Sequence, residues 1–149
     1  MISPLLFLQR GGCYLVKTFV NDMVIIAVDF DGTITKEPEM GEYRDLELQK
    51  GCREALEYLK DIGCDLILWT CRTGEALGQA KSFLQSNDLF HLFTEVNTNH
   101  PKVVEKYSDC SRKVAADFYV DDKSIMGNLD WNNVVMFIRQ KYGSVLKNV

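Results

Sequence analysis

The sequence is poor in the residues that build zinc sites. None of its five cysteines forms a C-x-x-C pair, and it contains only two histidines, His91 and His100. Structural zinc sites draw their ligands from closely spaced cysteines and histidines. The composition therefore argues against such a site, and the odd number of cysteines favours reduced thiols in the cytoplasm.

The sequence also lacks a long apolar run and an excess of basic residues. No run approaches the ~20 apolar residues of a membrane-spanning helix, and the net charge is −4 at pH 7. Proteins that follow a nucleic-acid backbone carry basic surfaces. We therefore expect neither a membrane protein nor a nucleic-acid-binding one, whereas a small phosphorylated substrate is compatible with this charge.

The chain does contain short apolar runs that alternate with amphipathic segments. Strands are predicted at 24–28, 65–69, 92–96 and 118–120, and helices at 52–62, 75–85 and 101–107. Residues 133–137 fit either a fifth strand or the beginning of the last helix. This alternation predicts an α/β fold, a three-layer, doubly wound parallel sheet with helices on both faces.

The length of 149 residues fits one domain. We place that domain at residues 23–149, because Met23 directly precedes the first strong strand. Residues 1–22 are an N-terminal extension of uncertain role, either an appended segment or the source of an edge strand.

Polar residues follow three of the predicted strands, where core residues are not needed. These residues are Asp29 and Asp31 after the first strand, Thr70 and Arg72 after the second, and Asp121 and Asp122 after the last. Ligands of parallel α/β sheets bind outside the carboxyl ends of the strands. The pattern therefore predicts a functional site at this edge of the sheet.

The residue types at this edge suit a phosphate ester. Carboxylates that converge repel each other unless a cation lies between them, and Mg²⁺ is a hard cation that binds carboxylates and phosphate oxygens. Gly32 allows a sharp turn that exposes main-chain N–H groups, and Thr70 offers a hydroxyl donor. Lys113 is our choice for a cation on the phosphoryl oxygens, with Lys102 as the alternative.

The order of these motifs resembles the haloacid-dehalogenase (HAD) superfamily. Asp29-Phe30-Asp31-Gly32-Thr33 is similar to its D-x-D-G-T first motif, and Leu66-Ile67-Leu68-Trp69-Thr70 to its second. Lys113 followed by Phe118-Tyr119-Val120-Asp121-Asp122 is similar to its third and fourth motifs. The resemblance spans residues 24–140 and is greatest to small, capless bacterial members described as phosphatases.

The resemblance implies a magnesium-dependent phosphatase that acts on a phosphate monoester through an aspartyl-phosphate. Asp29 would be the nucleophile and Asp31 the acid/base. The Asp29 carboxylate, the Asp31 main-chain carbonyl and Asp121 would bind Mg²⁺, with Asp122 binding it directly or through water. Thr70 and Lys113 would hold the phosphoryl group.

The sequence leaves several alternatives open. Arg72 either contacts the substrate or forms an ion pair with an acid, and Trp131 either packs in the core or stacks on a base or sugar. A non-catalytic protein that binds magnesium and a phosphorylated ligand is one alternative function. A nucleotide-directed phosphatase that uses Trp131 and Arg72 for recognition is another.

The intervals between the motifs are too short for a cap domain. We therefore expect an open site, with the loop from Thr35 to Leu48 as its only flap. An open site accepts a bulky phosphorylated group or borrows a lid from another subunit, so a homo-oligomer is one of the arrangements it allows.

Overall fold

The structure is a computed structural model that describes residues 18, 20, 23–36, 46–108, 111–124 and 129–146. Its elements in chain order are β1 (Val24–Val28), α1 (Cys52–Asp61), β2 (Cys64–Leu68), α2 (Gly74–Ser86), β3 (Phe93–Val96), α3 (Pro101–Tyr107), β4 (Phe118–Val120) and α4 (Trp131–Tyr142). A short 3₁₀ turn, Phe90–Leu92, precedes β3.

The predicted elements are confirmed, with small shifts at their ends. β1, α3 and β4 have the predicted bounds, β2 begins and ends one residue earlier, and α2 is one residue longer at each end. The fifth-strand alternative for residues 133–137 is wrong, because they lie inside α4. The side chains of Trp131, Val134 and Ile138 are buried at helical spacing, and Asp130 caps the helix by accepting a hydrogen bond from the Asn132 N–H.

The four strands form one parallel sheet in the order β3-β2-β1-β4. All five side chains of β1 are buried, as expected for a continuous run of aliphatic residues at the centre of a parallel sheet. Alternate residues of β1 enter two different core clusters. The first cluster also contains buried residues of α1, α2 and α4, and the second contains Val103 of α3.

The strand order reverses between β1 and β4. The chain proceeds outward from β1 through β2 to β3 and then returns to the opposite side of β1 for β4. Ligands of open parallel sheets bind where the strand order reverses in this way. The fold is Rossmann-like, and its switch point lies between the strands that precede Asp29 and Asp121.

Two predicted segments lie largely outside the described residues. Of the extension 1–22, the structure describes residues 18 and 20, and Val20 forms an isolated antiparallel bridge with Met23. Of the predicted flap, residues 37–45 are not described, whereas Thr35 and Leu48 pair antiparallel at its base. Among the described residues, no helix has both the length and the apolar character needed to span a bilayer.

Candidate active site

Three carboxylates meet at the switch point. Asp29 follows β1, whereas Asp121 and Asp122 follow β4, and one carboxylate oxygen of each lies within 4.8 Å of the others. The main-chain N–H of Asp29 donates a 2.9 Å hydrogen bond to the Val120 carbonyl, which joins the two strand ends. The convergence predicted from the motif order is therefore present in the fold.

The electrostatics of this acidic cluster fit a cation. Burial, together with the negative charges of Asp121 and Asp122, raises the pKa of Asp29 from 3.8 to about 6, although hydrogen bonds from the Phe30 N–H and the Thr33 hydroxyl oppose the shift. Among the described residues, the buried Oδ1 of Asp122 has no hydrogen-bond partner. Buried oxygens without donors and mutually repelling carboxylates are both stabilised by a hard divalent cation.

Thr33 connects the two halves of the acidic cluster. Its fully buried hydroxyl donates to Asp29 Oδ2 at 3.2 Å and accepts from the Asp122 N–H at 2.9 Å. The main-chain carbonyl of Thr33 accepts a 3.2 Å hydrogen bond from the indole N–H of Trp131. Thr33 was missed as a functional residue in the sequence, although it is the last residue of the D-x-D-G-T motif.

Both the backbone conformation at residue 32 and the space around it require a glycine. Its φ of +75° lies in the left-handed region, where a side chain is strained. A Cβ at this position would lie 2.7 Å from Cγ of Asp122. The glycine therefore allows the first-motif loop to approach the fourth motif closely.

Asp31 lies outside the three-carboxylate cluster and is bound by Arg72. The Arg72 Nη2 donates to Oδ1 at 2.7 Å, and Nε donates to Oδ1 at 3.1 Å and to Oδ2 at 2.9 Å. The Arg72 side chain is 5% exposed and that of Asp31 33%. Of the two alternatives for Arg72, the structure shows the ion pair, and the acid is Asp31.

Thr70, which is buried just after β2, is held by hydrogen bonds to its neighbours. Its main-chain N–H donates to Asn97 Oδ1 at 2.8 Å, and its hydroxyl oxygen accepts from the Arg72 N–H at 3.2 Å. The hydroxyl proton can therefore be donated elsewhere. Asn97 was missed in the sequence, yet it directly follows β3, so the strand-end pattern that identified Thr70 would also have identified it.

The two lysine candidates lie in different places. Lys113 Nζ is 4.8 Å from the ring centroid of Tyr119, which lies in β4 two positions before Asp121. Lys113 therefore packs against the strand that leads to Asp121 and Asp122. Lys102 Nζ is 3.9 Å from Met23 Sδ, near the amino end of β1, whereas Asp29 follows the carboxyl end. The structure thus does not bring Lys102 to the site.

Two further side chains contact residues of the site. Trp131 is 3% exposed, and its indole N–H is bound to Thr33, so the packing alternative describes it and the stacking alternative does not. Lys123, which the motifs did not include, donates from Nζ to Asp122 Oδ2 at 2.7 Å and from its main-chain N–H to Asp121 Oδ1 at 2.8 Å.

The chain is similar in sequence and structure to a conserved protein from Bacteroides thetaiotaomicron. The two are 33% identical, the match covers 80% of this chain and 92% of the other, and the TM-score is 0.66. The chain belongs to the family of this conserved protein. No protein-family model and no curated protein sequence matches the chain. This similarity establishes a shared fold and family, and it indicates no function.

Proposed function

We propose that the protein is a magnesium-dependent phosphatase of the HAD type, with a three-layer HAD core and no cap domain. The observation that carries the proposal is the cluster of Asp29, Asp121 and Asp122 at the switch point of the sheet. Acidic side chains are common on protein surfaces without a ligand. Here, however, two separate strand ends bring them together. The Thr33 hydroxyl is hydrogen-bonded to both Asp29 and Asp122, and Gly32 allows their loop to approach Asp122 closely.

The residues present suit Mg²⁺. Asp29, Asp121 and Asp122 would bind the ion together with the main-chain carbonyl of Asp31, and Asp122 Oδ1 is the buried oxygen that still needs a partner. Bound there, the ion would neutralise the carboxylates and the phosphate dianion. Without that neutralisation, a carboxylate nucleophile and a phosphate dianion would repel each other.

In the proposed reaction, an Asp29 oxygen attacks phosphorus while the bond from phosphorus to the leaving oxygen breaks. Asp31 gives its proton to the leaving oxygen, and an alcohol departs. Asp31 then takes a proton from water as the water oxygen attacks phosphorus. The bond to Asp29 breaks, so the products are alcohol and inorganic phosphate.

Hydrogen-bond donors of the chain would bind the phosphoryl oxygens. Thr70 has a hydroxyl proton to donate, Gly32 allows the main-chain N–H groups of the first motif to approach the phosphate, and Lys113 packs against the strand that precedes Asp121. Arg72 is engaged by Asp31 and so is not assigned to the phosphate. The substrate is a phosphorylated small molecule or bulky phosphate ester that reaches the carboxyl edge of the sheet.

The test is hydrolysis of 4-nitrophenyl phosphate with Mg²⁺ and with EDTA. We compare the wild type with Asp29→Asn, which removes the nucleophile and keeps the side-chain size. The matched control is Asp88→Asn, since the Asp88 side chain is 94% exposed and lies after α2. Magnesium-dependent activity that Asp29→Asn abolishes and Asp88→Asn retains supports the proposal, whereas activity that survives Asp29→Asn contradicts it.

A non-catalytic protein that binds Mg²⁺ and a phosphorylated ligand is the competing function. The acidic cluster favours it as strongly as it favours an enzyme, because metal binding alone uses the same carboxylates. The two differ at Asp31, which a binding protein does not need as a proton carrier. A wild type that binds Mg²⁺ and phosphate by calorimetry, yet hydrolyses neither aryl nor alkyl phosphates, would favour the binding protein.

A further inference from the structure

The guanidinium of Arg72 is held on several sides. Its Cζ lies 4.9 Å from the ring centroid of Phe30, a fully buried side chain, and its Nη1 donates to the Ala76 carbonyl at 3.3 Å. The side chain thus contacts the first-motif loop and the first turn of α2. Because this environment is buried and specific, Arg72 has little freedom to move.

The geometry of the ion pair fixes the plane of the Asp31 carboxylate. Two nitrogens of one rigid guanidinium contact both oxygens of Asp31, at 2.7 to 3.1 Å. Such two-point contacts define orientation, which a single-point contact from lysine does not. A carboxylate has about four lone-pair positions. Asp31 Oδ2 accepts one hydrogen bond from Arg72. Its second lone pair can therefore carry the proton that passes to the leaving oxygen.

We propose that Arg72 is a positioning residue, which orients Asp31 for proton transfer with the leaving oxygen, rather than a residue that binds the phosphate. This inference rests on the proposed phosphatase function and goes beyond it. The proton still moves between Asp31 and the leaving oxygen, or between Asp31 and water. Arg72 gives up no proton and forms no bond to phosphorus.

The proposal predicts a dependence on the leaving group. An alkyl alcohol needs a proton as it departs, whereas 4-nitrophenolate departs readily without one, and general acid catalysis contributes roughly 10²–10⁴-fold when the proton is needed. We measure kcat/KM for 4-nitrophenyl phosphate and for an alkyl phosphate such as glycerol phosphate. Arg72→Ala should lower the alkyl value by about 100-fold more than the aryl value, because only the alkyl reaction depends on a well-placed Asp31.

A double-mutant cycle separates positioning from other roles. In the Asp31→Asn background, Arg72→Ala should cause no further loss of alkyl phosphate hydrolysis, since the residue through which it acts has been removed. Losses that multiply would overturn the proposal. So would a rise in KM of the same size for both substrates, which is the result for a phosphate-binding arginine.

Two further variants distinguish a specific loss of activity from a failure to fold. Arg139→Ala is the matched control, because Arg139 is an exposed arginine of α4, and it should keep full activity. Arg72→Lys keeps the charge and loses the two-point contact. If Arg72→Ala does not fold, Arg72→Lys takes its place in the same cycle and should give the same leaving-group dependence.

Rescue with free guanidinium gives an independent readout. Added guanidinium should restore part of the alkyl phosphatase activity of Arg72→Ala and none of that of Asp31→Asn. If the wild type hydrolyses neither the aryl nor the alkyl phosphate, both the proposed phosphatase function and the proposed role of Arg72 are wrong. An active wild type whose arginine variants lose aryl and alkyl activity equally would overturn this role alone.

Discussion

Gly32 and Asp122 lie in such close contact that residue 32 has no room for a side chain. A Cβ at Gly32 would lie 2.7 Å from Cγ of Asp122, and the glycine also has a φ of +75°. Residues 90 positions apart in the sequence are thus packed against each other at the carboxyl edge of the sheet. This contact places a first-motif backbone beside a candidate metal ligand.

Gly32→Ala should therefore impair both the fold and the site. The left-handed backbone costs about 1–2 kcal/mol with a side chain, and displacement of Asp122 should abolish Mg²⁺-dependent hydrolysis. Gly78→Ala is the control, since Gly78 lies in α2 with open space around it, and it should stabilise the protein by about 0.5–1 kcal/mol. Urea denaturation and phosphatase assays measure both effects. Full activity in Gly32→Ala would show that the contact is not needed.

Asp29→Asn should stabilise the metal-free protein above pH 6. The pKa of Asp29 is raised to about 6 in the fold, so the fold favours the protonated carboxyl. The stability that the protonated Asp29 carboxyl contributes is fully present below its ordinary pKa of 3.8. It is lost as the pH rises through about 6 and the carboxyl ionises. After allowance for its partial exposure, we expect a gain of about 1–2 kcal/mol at pH 8 in EDTA and little change at pH 4.

Urea unfolding of wild type and Asp29→Asn at both pH values, each with EDTA and with Mg²⁺, tests this expectation. Mg²⁺ should stabilise the wild type at pH 8, because the ionised carboxylate then has a counter-charge, and should stabilise Asp29→Asn less. Equal pH dependence in the two proteins would contradict the raised pKa.

Thr33→Val should weaken the link between the two strand ends. Valine keeps the buried shape but loses the hydroxyl that donates to Asp29 and accepts from the Asp122 N–H. We expect a loss of about 1–3 kcal/mol in unfolding free energy and weaker Mg²⁺ binding, as measured by denaturation and calorimetry. Thr33→Ser, which keeps the hydroxyl, should retain Mg²⁺ affinity. If both variants bind Mg²⁺ equally, the hydroxyl does not organise the site.

Lys113→Met should raise KM for 4-nitrophenyl phosphate by about tenfold, equivalent to ~1.4 kcal/mol, because the proposal assigns the phosphoryl oxygens to Lys113, which packs against the strand before Asp121. Lys102→Met serves as the control, since Lys102 lies near Met23 at the opposite end of β1, and it should have no effect. The reverse result would assign the phosphate-binding lysine to Lys102. Steady-state kinetics with inorganic phosphate as a competing product separate a binding effect from a change in kcat.

Trp131→Phe should not change the preference of the enzyme for nucleotides or sugar phosphates as substrates. The indole is buried and its N–H is bound to Thr33, so it cannot stack on a base without leaving the core. We expect a loss of about 1 kcal/mol in stability from the missing hydrogen bond. A panel of nucleoside monophosphates and sugar phosphates measures the preference. A selective loss of nucleotide hydrolysis would restore Trp131 as a recognition residue.

The sequence determined the α/β alternation and the position of the strand ends. The aliphatic run at 24–28 and the helical spacing at 52–62 are local patterns, and local patterns fix element type. It also determined that Asp29, Asp121 and Asp122 would converge, because the carboxyl ends of parallel strands share one edge. Residues 133–137 stayed ambiguous, since a short apolar run fits a strand or a buried helix face.

The tertiary structure decided which side chains touch. Arg72 follows the second strand and could pair with an acid of the first or of the fourth motif, and its guanidinium is bound to Asp31 of the first. The placement of Lys113 and Lys102, the burial of Trp131 and the contact of Thr33 with Asp122 likewise depend on the strand order β3-β2-β1-β4. A sequence pattern with a period of two or 3.6 residues specifies a face, but not its partner. The partner is chosen by the packing of elements that are far apart in the chain.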